Sequence, residues 1–261
     1  METSSADILF ERHGPVAWLT FNRPQARNAM TYAMYERLAQ ICDEVEADPS
    51  IRVLVLTGAG DRAFVAGTDI SQFRTLTTPQ DALEYEARMD RVIGRLEAVA
   101  VPTIAMVRGY AVGGGASIAL ACDLRLCSPD AKFGVPIART LGNCLSMNTV
   151  ARLIDLMGPA RMKEMIFTAR MIEAQEAHAA GLVNEVVAAE ALEGRVRELA
   201  EQIAANAPLT IRVTKEAVRR VLAQRRTAQG EDLVLAAYMS EDFAEGVRAF
   251  LEKRKPVWKG K

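Results

Sequence analysis

The chain has 261 residues, 25% of them charged, with a formal net charge of −1. That suits one large α/β domain, or one domain with a small helical appendage, with enough chain for a substantial core. The near-neutral balance gives no electrostatic case for nucleic acid or an anionic membrane surface, and no apolar run approaches the roughly 20 residues that span a bilayer. Residues 1–7 are polar and carry no basic-then-apolar signal, so a soluble, cytoplasmic protein is expected. Cys42, Cys122, Cys127 and Cys144 fit no zinc spacing and include no C-x-x-C pair, which reads as reduced, mostly buried thiols. His13 and His178 are the only histidines. Far apart in sequence, they give little support for a metal site or a Ser-His-Asp triad, and no metal is expected.

In chain order, residues 8–12 and 16–21 are strand-like runs around His13-Gly14-Pro15, a hairpin signal in which His13 is a solvated turn residue. After the loop Asn22 to Met30, a helix over 31–47 is expected. Thr31 is its N-cap, and Met34, Leu38, Ile41 and Val45 recur at helical spacing. Asp48-Pro49 ends it. Residues 53–57 form a continuous apolar strand of the kind buried on both faces. A polar stretch over 75–80 reads as a mobile loop, and a helix follows over 81–98. Short strands over 124–127 and 132–134 flank a Ser128-Pro129-Asp130 turn. Beyond residue 146 the chain is largely helical, over about 147–156, 160–168, 174–180, 190–205 and 209–224, with one late strand over 182–187. Apolar helices such as the one containing Leu233 to Tyr238 continue into a C-terminal layer. No repeat or low-complexity linker is visible.

The centre of the chain is the stretch from Pro102 to Asp123. A short apolar strand leads into Gly109 to Gly115, four glycines in seven residues, and then into a helix of small apolar residues from Ala116. Such a turn points free backbone N–H groups at a helix N-terminus, where negative charge on an oxygen is stabilised. Glycine-rich turns of this kind also bind phosphates or simply pack tightly. A second turn, Ala66-Gly67-Thr68-Asp69-Ile70, also follows a buried strand, and Asp69 suits an N-cap. Two such turns after parallel core strands face one cavity at the carboxyl edge of a sheet.

At these residues the sequence resembles the crotonase, or enoyl-CoA hydratase/isomerase, superfamily. The matching segments are Asn22-Arg23-Pro24 with Asn28-Ala29, Ala63-Phe64 to Ile70, Gly109 to Gly115 with Ala121-Cys122-Asp123, and Phe133-Gly134 to Pro136. Ala180 to Asn184, Glu245-Gly246 and Phe250 to Arg254 match as well. Together they cover nearly the whole chain in order. The resemblance implies an α/β fold, a spiral of β-β-α units over 1–200 with a C-terminal helical layer over 201–261 used in trimerisation. A homotrimer or dimer of trimers follows from it. So does a coenzyme A thioester as substrate, with no permanently bound cofactor. The backbone N–H groups of Thr68 and Gly114 would form the oxyanion hole. The implied CoA- and substrate-binding set is Arg27, Ala66, Gly67, Asp69, Ile70, Gly113, Ile137, Arg139, Phe250 and Lys253, with Phe250 and Lys253 often supplied by a neighbouring subunit. Lys253 reads equally as part of a solvated charged tail.

The acid–base pattern breaks. Hydratases of the superfamily use two glutamates, and the corresponding positions here are Ser117 and Ile137, or Ala138 if one residue is inserted. Relatives that place an aspartate further along would use Leu145 or Ser146. None is an acid. Arg139 reads either as a holder of an anionic acyl group or as a surface arginine. Tyr110, Cys144 and the Glu84-Tyr85-Glu86 run are further polar groups within reach of the pocket on this pattern. Cys144 has nothing in sequence to lower its pKa, and for Glu84 and Glu86 a solvated helix face is the default reading. Three hypotheses remain open. One is an acyl-CoA hydratase or isomerase with rewired acid–base groups and Ser117 as a candidate. Another is a decarboxylase or thioester hydrolase that needs mainly the hole. The third is a non-catalytic acyl-CoA binder.

Overall fold

A computed structural model describes residues 7–226 and 228–261. β1 (Ile8–His13) and β2 (Val16–Phe21) form the expected antiparallel hairpin. α1 (Tyr32–Ala47) starts where the Thr31 side chain accepts the Met34 N–H, and it buries Met34, Leu38, Ile41 and Val45 as the spacing predicts. β3 (Val53–Gly58) is buried on both faces, as its unbroken apolar run requires. β4 (Ala63–Val65) and a 3-10 turn over Ile70–Thr75 lead to α2 (Pro79–Glu97). This helix begins two residues before the expected start. Thr78 accepts from the Asp81 N–H while Asp81 accepts from the Thr78 N–H, which closes a capping box around Pro79.

β5 (Thr103–Val107) is the expected central strand. Gly109 to Gly115, however, is not one turn, because β6 (Tyr110–Val112) lies inside it and pairs in a second sheet before α3 (Gly114–Ala121) begins. Gly109 makes this step from sheet to sheet possible. Its φ is +59° and a Cβ there would lie 2.2 Å from the Arg62 carbonyl oxygen, so only glycine fits. β7 (Leu124–Cys127) and β8 (Lys132–Gly134) repeat the step and are followed by the short α4 (Ile137–Thr140) and by α5 (Met147–Thr168). α5 breaks at Gly158 (φ 77°, ψ 159°) and Pro159, which accounts for the two helices expected there. β9 (Ile172–Glu173), α6 (Ala174–Ala179) and β10 (Glu185–Val186) follow. The late strand is thus shorter than its apolar run. The chain ends in α7 (Leu192–Ala205), α8 (Pro208–Arg225), α9 (Glu231–Tyr238) and α10 (Glu241–Leu251).

The large sheet has the order β1-β2-β3-β5-β7-β10 and the small sheet β4-β6-β8-β9. Successive pairs β3/β4, β5/β6 and β7/β8 each place one strand in either sheet before a helix. This is the spiral of β-β-α units that the resemblance implies. One face of the large sheet packs on α7 through Val55, Ile104 and Met106 against Leu192, Val196 and Ala200. The main core, with Leu54, Leu56 and Phe64, fills the space beneath α1 and α3. α9 folds back onto its own chain and buries Val234 and Tyr238, whereas α8 buries none of its residues and leaves Leu209, Val213, Val218 and Val221 exposed. Among the described residues no helix is long and apolar enough to cross a membrane.

The loop before α1 is locked by Asn28, which is fully buried with a left-handed φ of 57°. Its Nδ2 donates to the Ala59 and Ala63 carbonyls at 3.0 and 2.8 Å, and its Oδ1 accepts the Arg23 N–H at 2.9 Å. Asn28→Ala strands these groups and favours a different backbone conformation. It is expected to cost about 3 kcal/mol, read as a fall in the urea midpoint at fixed protein concentration.

Candidate active site

β4 and β6 pair in parallel and end at the same edge. The loop carrying Arg27 to Met30 straps the first turn: the Ala66 N–H donates to the Arg27 carbonyl, Met30 N–H to Gly67, and Asp69 N–H to Met30, at 2.8–3.0 Å. This ladder skips the Thr68 N–H. In the second turn Gly113 N–H donates to the Gly134 carbonyl at 2.9 Å, and the first bond of α3 runs from Ser117 N–H to the Gly113 carbonyl. Gly114 is therefore the first residue of the helix, and its N–H lies outside the helical ladder. Among the described residues, neither the Thr68 nor the Gly114 N–H donates to another group. The two turns touch, since a Cβ on Gly113 would lie 3.9 Å from the Gly67 Cα and one on Gly114 would lie 3.1 Å from Thr68 Oγ1.

They open on a cavity of about 180 Å³. One wall is backbone, from Ala66 to Thr68 and Gly113-Gly114. Ile93, Val112, Val135, Ile137 and Leu145 make it largely apolar, and α2, α9 and α10 close it through Tyr85, Glu86, Tyr238 and Phe250.

The Enoyl-CoA hydratase/isomerase family model matches residues 11–261. The chain belongs to the enoyl-CoA hydratase/isomerase family. It is 37% identical over 257 residues to the short-chain-enoyl-CoA hydratase of Clostridium acetobutylicum, covering 95% of this chain and 96% of that protein. Among solved structures, it is 36% identical to an enoyl-CoA hydratase/carnithine racemase from Magnetospirillum magneticum, with a TM-score of 0.81 over 99% of this chain and 97% of that one. It is also 31% identical to methylmalonyl-CoA decarboxylase complexed with 2S-carboxypropyl-CoA, with a TM-score of 0.89 over the full length of both chains.

Against this family's pattern, the structure gathers Ala66, Gly67, Thr68, Ile70, Gly113, Gly114, Ser117, Ile137 and Phe250 around the one cavity. Phe250 lines the cavity of its own chain. Asp69 stands just behind the turn, where it caps the 3-10 segment by accepting the Ser71 N–H and sits 3.6 Å from Arg23. Arg27, Arg139 and Lys253 are exposed and do not line the cavity. Ser117 is buried, and its hydroxyl donates to the Gly113 carbonyl at 3.3 Å. Ser117 Oγ is thereby tied back into its own helix. Cys144 does line the cavity, but burial first and Glu86 second push its thiol up to about 12. It is protonated near neutrality and is no nucleophile.

One reading is corrected. Glu84 is exposed, but Glu86 is not on a solvated helix face; it faces the cavity with Tyr85, Met89 and Asp90. The signal was present in α2: Glu86 interrupts the stripe of Ala82, Met89, Ile93 and Leu96, a polar residue at an apolar position. Tyr238 donates its hydroxyl to Glu86 Oε1 at 2.5 Å and accepts from Asn143 Nδ2 at 3.1 Å. Asp90, one turn on, is fully engaged. Ser146 Oγ donates to one of its oxygens at 2.6 Å and Asn148 Nδ2 to the other at 2.9 Å. Position 146, where some relatives are expected to carry an aspartate, instead supplies a hydroxyl to a carboxylate arriving from α2. The Thr68 hydroxyl lies 2.9 Å from the Tyr35 hydroxyl and 3.4 Å from that of Tyr85.

Burial pushes the Glu86 carboxyl up to about 7, with the nearby Asp90 raising it further and the Tyr238 hydrogen bond pulling it back. Because the folded-state value lies above the ordinary 4.5, the folded protein binds this proton more tightly than the unfolded chain. The stabilisation is present below pH 4.5 and is lost as pH rises through about 7. Glu86→Gln should remove that dependence. Between pH 4.5 and 8, the wild type should lose on the order of 3 kcal/mol relative to this variant, read from denaturant midpoints across pH.

Proposed function

We propose that this protein binds a coenzyme A thioester with its carbonyl oxygen between the N–H groups of Thr68 and Gly114, and that this polarisation drives its chemistry on the acyl group. The observation that carries the reading is the pair of unpartnered N–H groups on abutting turns at the mouth of an apolar cavity. Preorganised donors of this kind stabilise charge that develops on an oxygen, each worth about 3–4 kcal/mol of barrier. The family supplies the thioester. Arg27 and Lys253, exposed outside the cavity, are available to the phosphates of the CoA moiety. Localisation is proposed to be cytoplasmic.

With Ser117 and Ile137 at the two glutamate positions, the protein is proposed to be a poor hydratase of simple straight-chain enoyl thioesters. A second reading, decarboxylation of an α-carboxylated, malonyl-type acyl-CoA, is favoured by the full-length fold match to methylmalonyl-CoA decarboxylase complexed with 2S-carboxypropyl-CoA. Loss of CO2 leaves an enolate that the hole alone stabilises, and no base is needed to form it. Residues 201–261 are proposed as the region of trimer assembly. α8 carries the supporting observation, because Leu209, Val213, Val218 and Val221 are all exposed on a helix that buries none of its residues. Light scattering at micromolar concentration should therefore report a trimer or hexamer, and a 28.5 kDa species alone would exclude it.

Crotonyl-CoA hydration should run about 10²–10⁴ slower than in ordinary hydratases, while thioester binding persists in calorimetry. The hole itself is tested at Gly114, where any Cβ would lie 2.1 Å from the Tyr35 hydroxyl oxygen. Tyr35→Phe relieves that collision. In its background Gly114→Ala keeps the N–H and Gly114→Pro removes it. The proline variant should be about 10²–10³ slower than the alanine variant on whichever thioester the wild type turns over. Equal rates would place the hole elsewhere.

A further inference from the structure

Resting on the thioester reading above, we propose that Glu86 is the group that takes the α-proton of the bound acyl thioester and returns it, and that Tyr238 on α9 positions it. Ser117 and Ile137 leave the two usual acid positions empty of any group that ionises. The cavity nonetheless holds two carboxyls, both from α2. Asp90 has both oxygens occupied by Ser146 and Asn148. Glu86 uses only Oε1, toward Tyr238, and its Oε2 makes no hydrogen bond among the described residues. A carboxyl held in a largely apolar cavity with one oxygen free is costly and needs a reason.

Its location suits the role. A thioester oxygen held at Thr68 and Gly114 puts the α-carbon, one bond further from that oxygen's carbon, inside the cavity that Glu86 lines. Tyr85, the preceding residue, reaches Thr68 Oγ1 at 3.4 Å, so α2 extends from the hole to Glu86 along the same cavity. As the Cα–H bond breaks, its electron pair becomes the C=C bond of the enolate. The thioester oxygen takes the negative charge at the two N–H groups, and the proton goes to Glu86 Oε2. Reversal returns a proton to Cα and restores the carboxylate. Nothing else is consumed.

The titratable groups facing Glu86 are Tyr85 and Asp90 on α2, Tyr35 on α1, Cys144 between α4 and α5, and Tyr238 on α9. None is cationic. Burial raises the three tyrosines, with Tyr35 at about 12 and Tyr85 and Tyr238 well above 10. These phenols and the Cys144 thiol stay neutral in the working range. Glu86, held near 7, changes state there. Proton abstraction needs the carboxylate, so the rate should rise with pH through a limb near 7. The Tyr238 hydroxyl favours the ionised form, so its removal should move that limb to higher pH.

The test follows α-deuterium incorporation into butanoyl-CoA in D2O by mass spectrometry, alongside calorimetric affinity for the same thioester. Glu86→Gln should cut exchange by about 10²–10⁴ with affinity unchanged. Tyr238→Phe should keep exchange at high pH but shift the limb upward. Wild-type exchange rates in Glu86→Gln, or an unmoved limb in Tyr238→Phe, would overturn the proposal. Wild-type binding without exchange would overturn this proposal and leave the thioester reading standing. Absence of binding would overturn both.

Discussion

The architecture of the candidate site depends on one close approach between backbones. α3 must begin against the ends of β4 and β6, and the contact is tight enough that a Cβ on Gly115 would lie 2.0 Å from the Val65 carbonyl oxygen. Gly113 supplies the positive φ that turns the chain from β6 into the helix. Because the two turns abut, two N–H groups remain outside every backbone ladder at the same place. A side chain at Gly115 would push α3 away from β4 and separate the two N–H groups. The two-sheet spiral serves this approach by delivering parallel β4 and β6 to a common edge.

α2 ties the rest of the molecule to that edge. At its C-terminal end Glu97 accepts from Arg152 on α5 and from Arg226 just past α8, both at 2.7 Å. Along its middle Glu86 accepts from Tyr238 on α9. Ring contacts from Tyr85 to Phe73 and Tyr238, and from Tyr238 to Phe243, carry the packing on to α10. The last helices are thus not a separate appendage. They close the cavity of their own chain through Tyr238 and Phe250, while α8 leaves Leu209, Val213, Val218 and Val221 exposed. Proposed assembly and cavity closure therefore fall to different helices of the same C-terminal region.

Acid groups reach the cavity by a different route from the one the resemblance implies. Side chains from the N-terminal turn of α3 and from α4 are Ser117 and Ile137, neither of which can ionise. α2 brings Glu86 and Asp90 to the same cavity. The Asp90 carboxylate is held by Ser146, whose hydroxyl also caps α5 by accepting the Thr149 N–H at 3.2 Å. A helix cap and a carboxylate clamp are one residue, so the loop over 142–146 is ordered by the same bonds that fix the acid.

Much of this was legible in the residues themselves, for local reasons. The hairpin around Gly14-Pro15, the Thr31 cap, the doubly buried β3 and the breaks at Asp48-Pro49 and Gly158-Pro159 all follow from φ restrictions, capping and hydrophobic period acting over a few neighbouring residues. The turns at Gly67-Thr68 and Gly113-Gly114 were also visible, because glycine needed for close approach leaves its mark in sequence. The strand inside Gly109 to Gly115 was not. Three residues of β6 become a strand only because β4 and β8 lie on either side to take their hydrogen bonds. Nor was Glu86. Its place on α2 permits either a solvated or a buried face, and only the packing of α9 against α2, 152 residues away in sequence, encloses the carboxyl and sets its partner. Sequence alone determined most of the elements and the two glycine turns. The enclosure of a carboxyl, and with it the acid–base character of the cavity, was decided by tertiary structure, because burial and charge are properties of the surrounding space rather than of a residue.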